Sequence, residues 1–377
     1  MKYYIIAGEA SGDLHGSNLI KAIKEKAPGA SFRAWGGDMM KEQGADLVKH
    51  INQLAFMGFA EVLMNLRTIL ANIKYCKNDI INYQPDAVIF IDYPGFNLRI
   101  AEFCKQHNIK TIYYVSPQVW AWNSSRVKKI KRDIDKMLVI LPFEKDFYNR
   151  YNYHVEFVGH PLLDAIPEKI EEKEPASFIQ KHNLAPKPII ALLPGSRKQE
   201  ISKMLYTMTR VAANFPQYQF VIAGTKAHSP DFYRKYSADP TIPVLTGHTY
   251  TLLQNAHAAL VTSGTATLET AIIGTPQVVC YKANLLSYHI AKKLVDIKYI
   301  SLVNLIMDKQ VVKEMIQTDF NTAALTIELK KITNQGESRK NILDNYAKLH
   351  SKLGGSGASD RAALQILNMM NSKKTTE

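Results

Sequence analysis

The chain has 377 residues, 46% hydrophobic and 21% charged, a balance that excludes a disordered chain and is enough for about two separate cores. The 47 lysines and arginines against 34 aspartates and glutamates leave a formal charge of +13, which favours phosphorylated ligands, anionic lipid or nucleic acid, beside the plainer reading of a basic solvated surface. Cys76, Cys104 and Cys280 are odd in number and far apart, so neither a disulfide framework nor a zinc knuckle is expected; the first apolar run, 3–7, is too short for a secretory signal, and no stretch reaches the ~18 apolar residues of a bilayer span.

Short β-branched and aromatic runs alternate with amphipathic stretches from the start. The runs 3–7, 32–35, 87–92, 111–115, 137–141 and 155–158 are mostly apolar and bounded by Gly, Pro or Ser, the pattern of strands covered on both faces. Helical patterns such as 17–25 and 98–106 lie between them, so a parallel α/β sheet is predicted. The first run ends in Gly8-Glu9-Ala10-Ser11-Gly12-Asp13 ahead of a helix. Ligands bind at such strand ends in open α/β sheets. Ser11 is expected to cap the helix, and Gly12 and its small neighbours would let a ligand approach the backbone. The spacing of Gly8, Gly12 and Gly16 is not the dinucleotide fingerprint, and Glu9 suits sugar hydroxyls better than a pyrophosphate. A tight turn with a helix cap accounts for the segment equally well.

Residues 53–64 are unusually apolar and read as a core helix or as an exposed acyl-chain or membrane-contact face. The run 87–91 delivers Asp92 to the carboxyl end of a buried strand, as a candidate general base or as a helix cap. After the next strand come Trp120 and Trp122, then Arg126, Lys128, Lys129, Lys131 and Arg132. Aromatics beside cations suit a sugar, a base or a membrane surface, or simply form a basic helix face.

Pro161, Pro167, Pro175, Pro186 and Pro188, with the charged run 168–174, mark a hinge. The alternation then restarts with runs at 189–193, 220–223, 244–245, 258–261 and 278–281, and helical patterns at 202–214 and 265–273. Two α/β units in succession predict a cleft between them. The run 189–193 leads into Pro194-Gly195-Ser196-Arg197-Lys198 and a helix. An arginine fork and a helix dipole make an anion site there, without the spacing of a Walker loop. The run 258–261 leads into Thr262-Ser263-Gly264-Thr265-Ala266-Thr267-Leu268-Glu269. The helix start suits a diphosphate, and Glu269 could accept from both hydroxyls of a ribose, or be the solvated end of a capping box. The stretch 319–377 is mostly helical in pattern, broken by Gly354-Gly355-Ser356-Gly357.

Together these segments resemble one family, the lipid-A-disaccharide synthases. The resemblance is carried by GEASGD (8–13), FMGFAEVL (56–63), IDYPGFN (91–97), YVSPQVWAW (114–122) with Arg126, LPFEK (141–145), FVGH (157–160), LLPGSR (192–197), SGTATLE (263–269) and ISLVNL (300–305), in the family's order over residues 3 to about 350. It implies an inverting glycosyltransferase that uses neither metal nor cofactor. The implied fold is GT-B: two Rossmann-like α/β domains facing a central cleft, 1–165 on the acceptor side and 166–350 binding the UDP-sugar. A C-terminal helix and tail, 351–377, would pack back on the first domain or on a partner chain.

The implied reaction joins UDP-2,3-diacylglucosamine to the 6-hydroxyl of 2,3-diacylglucosamine 1-phosphate (lipid X), giving the β-1,6 lipid A disaccharide 1-phosphate and UDP. The implied setting is cytoplasmic, at the inner face of the inner membrane. By the same resemblance Arg197, with Gly195 and Ser196, neutralises the UDP phosphates; Ser263, Gly264, Thr265 and Ala266 hold the diphosphate; and Glu269 holds the ribose. Asp92 is the base or orienting group for the acceptor, Glu9 and Ser11 face the reacting sugars, and Trp120 lies on the substrate side. Met57, Gly58 and Phe59 border the lipid site, and Asn304 lies near the nucleotide. Some family members carry a second aspartate where this chain has Gly95, which leaves the burden on Asp92. The family's homodimer exchanges C-terminal segments, and on that pattern Asn304 would serve a partner's site. Two other classes stay on the table: a UDP-GlcNAc 2-epimerase, which shares the two-domain architecture, and a basic nucleic-acid-binding protein, for which no RNP, KH or helix-turn-helix signature is present.

Overall fold

The computed structural model describes residues 1–54, 66–122, 124–167, 175–284 and 297–372. The chain divides into two compact units, Met1–Ala165 with Leu353–Glu377, and Ile166–Lys352. The first holds seven parallel strands: β1 (Lys2–Ala7), β2 (Ser31–Gly36), β3 (Asp46–His50), β4 (Ala87–Ile91), β5 (Lys110–Tyr114), β6 (Lys136–Val139) and β7 (Glu156–Phe157), in the order β3-β2-β1-β4-β5-β6-β7. The central strands are apolar because both of their faces are covered. All of β4 is buried, and so is β1 apart from Lys2.

The second unit holds six parallel strands: β8 (Ile189–Leu193), β9 (Gln219–Gly224), β10 (Val244–Thr246), β11 (Ala256–Thr262), β12 (Gln277–Tyr281) and β13 (Lys313–Ile316), in the order β10-β9-β8-β11-β12-β13. Both sheets are therefore doubly wound. Chain order reverses between β1 and β4 in the first and between β8 and β11 in the second, and each reversal opens a crevice at the strands' carboxyl ends. Register makes the neighbours explicit. Ala7 pairs with Ile91, and Leu193 pairs with Val261. The turns that follow these four strands carry the candidate residues.

The last helix, Ala358–Asn371, belongs to the first unit. It buries Ala358, Ala362, Ala363 and Ile366, small and apolar residues that let it lie close to the helix Ala10–Lys26. The Asp164 carboxylate accepts the backbone N–H groups of Ala358 (3.3 Å) and Ser359 (2.8 Å), which answers donors a helix start leaves unpaired. Arg361 Nε donates to the Val158 carbonyl at 2.7 Å. Cys76, Cys104 and Cys280 are buried free thiols. Among the described residues no helix is long and apolar enough to cross a membrane.

Candidate functional site

In the first unit the switch point is built by the turns after β1 and β4. Glu9, extended in backbone, stands at the cap of the helix Ala10–Lys26 without a side-chain cap bond. Ser11 lies inside that helix and is exposed, so the expected Ser11 cap is not formed. Gly12 is buried, and a Cβ there would sit 2.9 Å from the Ala7 Cβ. Its small size serves close packing of helix on strand.

Asp92 is half-buried and adopts φ 42°, and Tyr93 follows at φ 51°. Val115, at the end of the neighbouring β5, has φ 63°, which is unusual for a β-branched residue. Three non-glycine residues in the left-handed region at adjoining strand ends store strain, which concentrates where function requires it. The surroundings hold Asp92 in place. Asn97 Nδ2 donates to its carbonyl at 2.7 Å, the buried Tyr113 hydroxyl donates to the same oxygen, and its own N–H reaches the Val115 carbonyl at 3.2 Å. The helix that follows is capped by Tyr93, so Asp92 is not the cap. The Tyr93 ring stacks on Phe96 and lies where a Cβ at Gly8 would come within 2.5 Å of it, so Gly8 is required for the turns to meet.

Burial, and then the Glu9 carboxylate, push the Asp92 carboxyl up to about 6. Two carboxylates at one switch point, one of them raised toward neutrality, are an arrangement suited to acid–base work. Trp120 is half-buried, packed edge-on against Phe143 at 4.9 Å. Beside it Glu144 is fully buried and accepts the N–H groups of Ile140 (3.2 Å) and Leu141 (2.9 Å); burial pushes its carboxyl up to about 7. Met57, Gly58 and Phe59 lie outside the described residues.

In the second unit Gly195, with φ +105°, turns the chain after β8, and a Cβ on it would lie 2.5 Å from Glu200 Oε2. That oxygen accepts the N–H groups of Ser196 (3.3 Å) and Arg197 (3.4 Å), while Oε1 lies 3.6 Å from Arg197 Nη1. Arg197 caps the helix Lys198–Arg210, with its guanidinium about half exposed. The turn already holds one carboxylate, which shows the kind of group its N–H donors and arginine attract.

After β11, Gly264 caps the helix Thr265–Ile273; Gly264 and Thr265 are exposed, and Ser263 and Ala266 are half-buried. Glu269 is not a solvated capping-box residue. Its Oε1 accepts from the Tyr250 hydroxyl at 2.8 Å, and burial holds its carboxyl above the usual range.

Asn304, expected near the nucleotide, makes its hydrogen bonds within the chain. It is fully buried, and its amide donates to the Val312 carbonyl (2.8 Å) and to Glu314 Oε1 (2.9 Å). Its oxygen accepts from the N–H groups of Val311 (2.7 Å) and Val312 (3.0 Å), which uses its capacity within the chain. Glu314 also accepts the N–H groups of Ile300 and Ser301, each at 3.0 Å, and the Ile300 carbonyl accepts from Ser263 Oγ at 3.0 Å. Asn304 thus braces the turn that holds Ser263. We expect Asn304→Ala to leave the Val311 and Val312 donors unpaired and to destabilise the protein by about 2–4 kcal/mol, read as a lower urea midpoint at unchanged slope.

Sequence reasoning missed Tyr93, Asn97 and Tyr113 around Asp92, and Tyr250 and Glu314 in the second unit. Among the described residues no three His, Cys, Asp or Glu side chains group as metal ligands.

The model of one family, described as lipid-A-disaccharide synthetase, matches residues 3–366. A lipid-A-disaccharide synthase of Syntrophus aciditrophicus (strain SB) is 39% identical over 97% of this chain and 97% of that protein. Among solved structures, UDP-GlcNAc 2-epimerase from Neisseria meningitidis bound to UDP-GlcNAc superposes with a TM-score of 0.66 at 13% identity, covering 98% of this chain and 100% of the other. The glycotransferase of kitacinnamycin gives a TM-score of 0.64 at 14% identity over 98% of each chain. These likenesses in structure speak for the shared two-unit GT-B fold.

Proposed function

The chain belongs to the lipid-A-disaccharide synthase family, a family of glycosyltransferases of lipid A biosynthesis, and from that premise we propose its substrates and mechanism. It transfers 2,3-diacylglucosamine from UDP to the 6-hydroxyl of lipid X by a single displacement that inverts the anomeric carbon. Asp92 takes the proton from the attacking hydroxyl. The observation that carries this reading is its carboxyl, half-buried at a switch point and raised to about 6, ionised at neutral pH yet basic enough to accept a proton. Glu9 and Ser11 border the reacting sugars, and Trp120 lies on the acceptor side.

As the bond to the anomeric carbon breaks, negative charge grows on UDP. Arg197 and the turn Gly195–Ser196 meet it, with the helix start at Ser263, Gly264, Thr265 and Ala266. Glu269 accepts from the ribose hydroxyls. No step requires a metal or a cofactor. The formal charge of +13 supports work at an anionic membrane surface on lipid substrates, at the inner face of the inner membrane, and we assign the segment with Met57 and Gly58 to the lipid side. A homodimer with exchanged C-terminal segments belongs to the same proposal.

The test is incubation with UDP-2,3-diacylglucosamine and lipid X, with products read by mass. The disaccharide 1-phosphate and UDP are expected. Conversion of UDP-GlcNAc alone to UDP-ManNAc, with no disaccharide formed, would replace this reading with an epimerase.

A further inference from the structure

We propose that Tyr250 is a positioning and specificity residue, holding Glu269 in the orientation that receives both hydroxyls of a ribose. The inference rests on the reading of Glu269 as the ribose acceptor. Tyr250 and Glu269 are 19 positions apart, on separate helices, Thr249–Gln254 and Thr265–Ile273, that pack against each other. Tyr250 follows β10, whereas Glu269 follows β11, so the contact joins the two turns across the sheet order.

A glutamate side chain has three torsions, and freezing them on ligand binding costs entropy. The Tyr250 hydroxyl, 2.8 Å from Oε1, fixes the last of them before any ligand arrives. A carboxylate offers about four lone-pair directions, and one donor leaves about three, of which a cis-diol needs two. The hydroxyl also preserves the correct chemical form. Burial favours the protonated acid, which would present a donor where an acceptor is needed, and donation from Tyr250 opposes it. Tyr250 remains a donor throughout, because its own proton is held tightly by burial and by the adjacent Glu269.

Tyr250→Phe keeps the ring and removes the hydroxyl. Titration of the whole protein with UDP and with 2′-deoxy-UDP reads its effect. The natural chain should prefer UDP by about 10–100-fold, the range for a hydrogen bond to a charged group. In Tyr250→Phe the preference should fall to within about threefold, with affinity for the deoxy nucleotide nearly unchanged and kcat at saturating donor retained. Loss of a merely structural contact would weaken both nucleotides alike and leave the ratio intact, and that result overturns the proposal. Glu269→Gln separates the two layers. If it also leaves the ratio intact, the ribose reading of Glu269 falls; if it abolishes the ratio while Tyr250→Phe preserves it, only the role of Tyr250 falls.

Discussion

Asp92→Asn is expected to lower kcat by about 100–10,000-fold, the range for loss of a positioned general base, while UDP affinity stays within about twofold. It is also expected to make the protein more stable at neutral pH. The sign follows from the proton balance. In the folded chain the carboxyl titrates near 6, well above its unfolded range, because burial and Glu9 penalise the charge. Between about pH 4 and pH 6 the folded state binds more protons than the unfolded state, so stability falls as pH rises through that window, and the full penalty stands above it. Asparagine carries no charge to penalise. Its gain is about 1–2 kcal/mol at pH 7.5, or about 2–4 °C in melting temperature, and it vanishes below about pH 3, where both states are protonated.

As the proposed base, the same group should set the acid limb of the rate profile. A base must be ionised, so kcat/KM rises with pH up to about 6 and then levels. Glu144, raised to about 7, titrates nearby, but it is sequestered behind Trp120 and satisfied by the N–H groups of Ile140 and Leu141. The limb should therefore survive Glu144→Gln and disappear from the residual activity of Asp92→Asn. Near-normal turnover in Asp92→Asn would remove the base assignment outright.

What could be read in the sequence depended on where each element lies. The central strands β1, β4, β8 and β11 are apolar runs because both faces are covered, and they end abruptly where a charge or glycine enters the crevice. The same abruptness marked Glu9, Asp92, Arg197 and the 263–269 turn. The edge strands β3 and β13 went unread. Asp46-Leu47-Val48-Lys49-His50 and Lys313-Glu314-Met315-Ile316 are mostly half-buried and mix charge with apolar residues, which is how an edge avoids pairing with another chain.

The supporting residues were hidden for a different reason. Tyr113 meets Asp92 from 21 positions away and Tyr250 meets Glu269 from 19, and no local pattern encodes such a meeting. Asn304 was placed near the nucleotide by the family resemblance alone, and nothing local in the sequence marked its bracing role. Only its four saturated hydrogen-bond positions show that it serves the backbone of its own chain.

On the proposed mechanism, in which the guanidinium meets charge that grows as UDP departs, Arg197→Ala should lower kcat/KM by about 100–1,000-fold and weaken UDP binding. Its surroundings make the expectation more specific than removal of a positive charge. Glu200 folds back over the turn, accepting from Ser196 and Arg197 N–H and pairing with Arg197 Nη1 at 3.6 Å. A diphosphate arriving there competes with that internal carboxylate for the same donors. Arg197→Lys keeps the charge but not the two-pronged fork, so it should recover UDP binding only in part. Glu200→Gln keeps an oxygen for the backbone donors and removes the competing charge, so UDP affinity should hold or rise. Isothermal titration of the three variants at two ionic strengths distinguishes charge from geometry. Raising salt should erode UDP binding in the natural chain more than in Arg197→Ala, since the variant has lost the cation that screening would weaken. Equal erosion in both would mean that Arg197 does not face the phosphates.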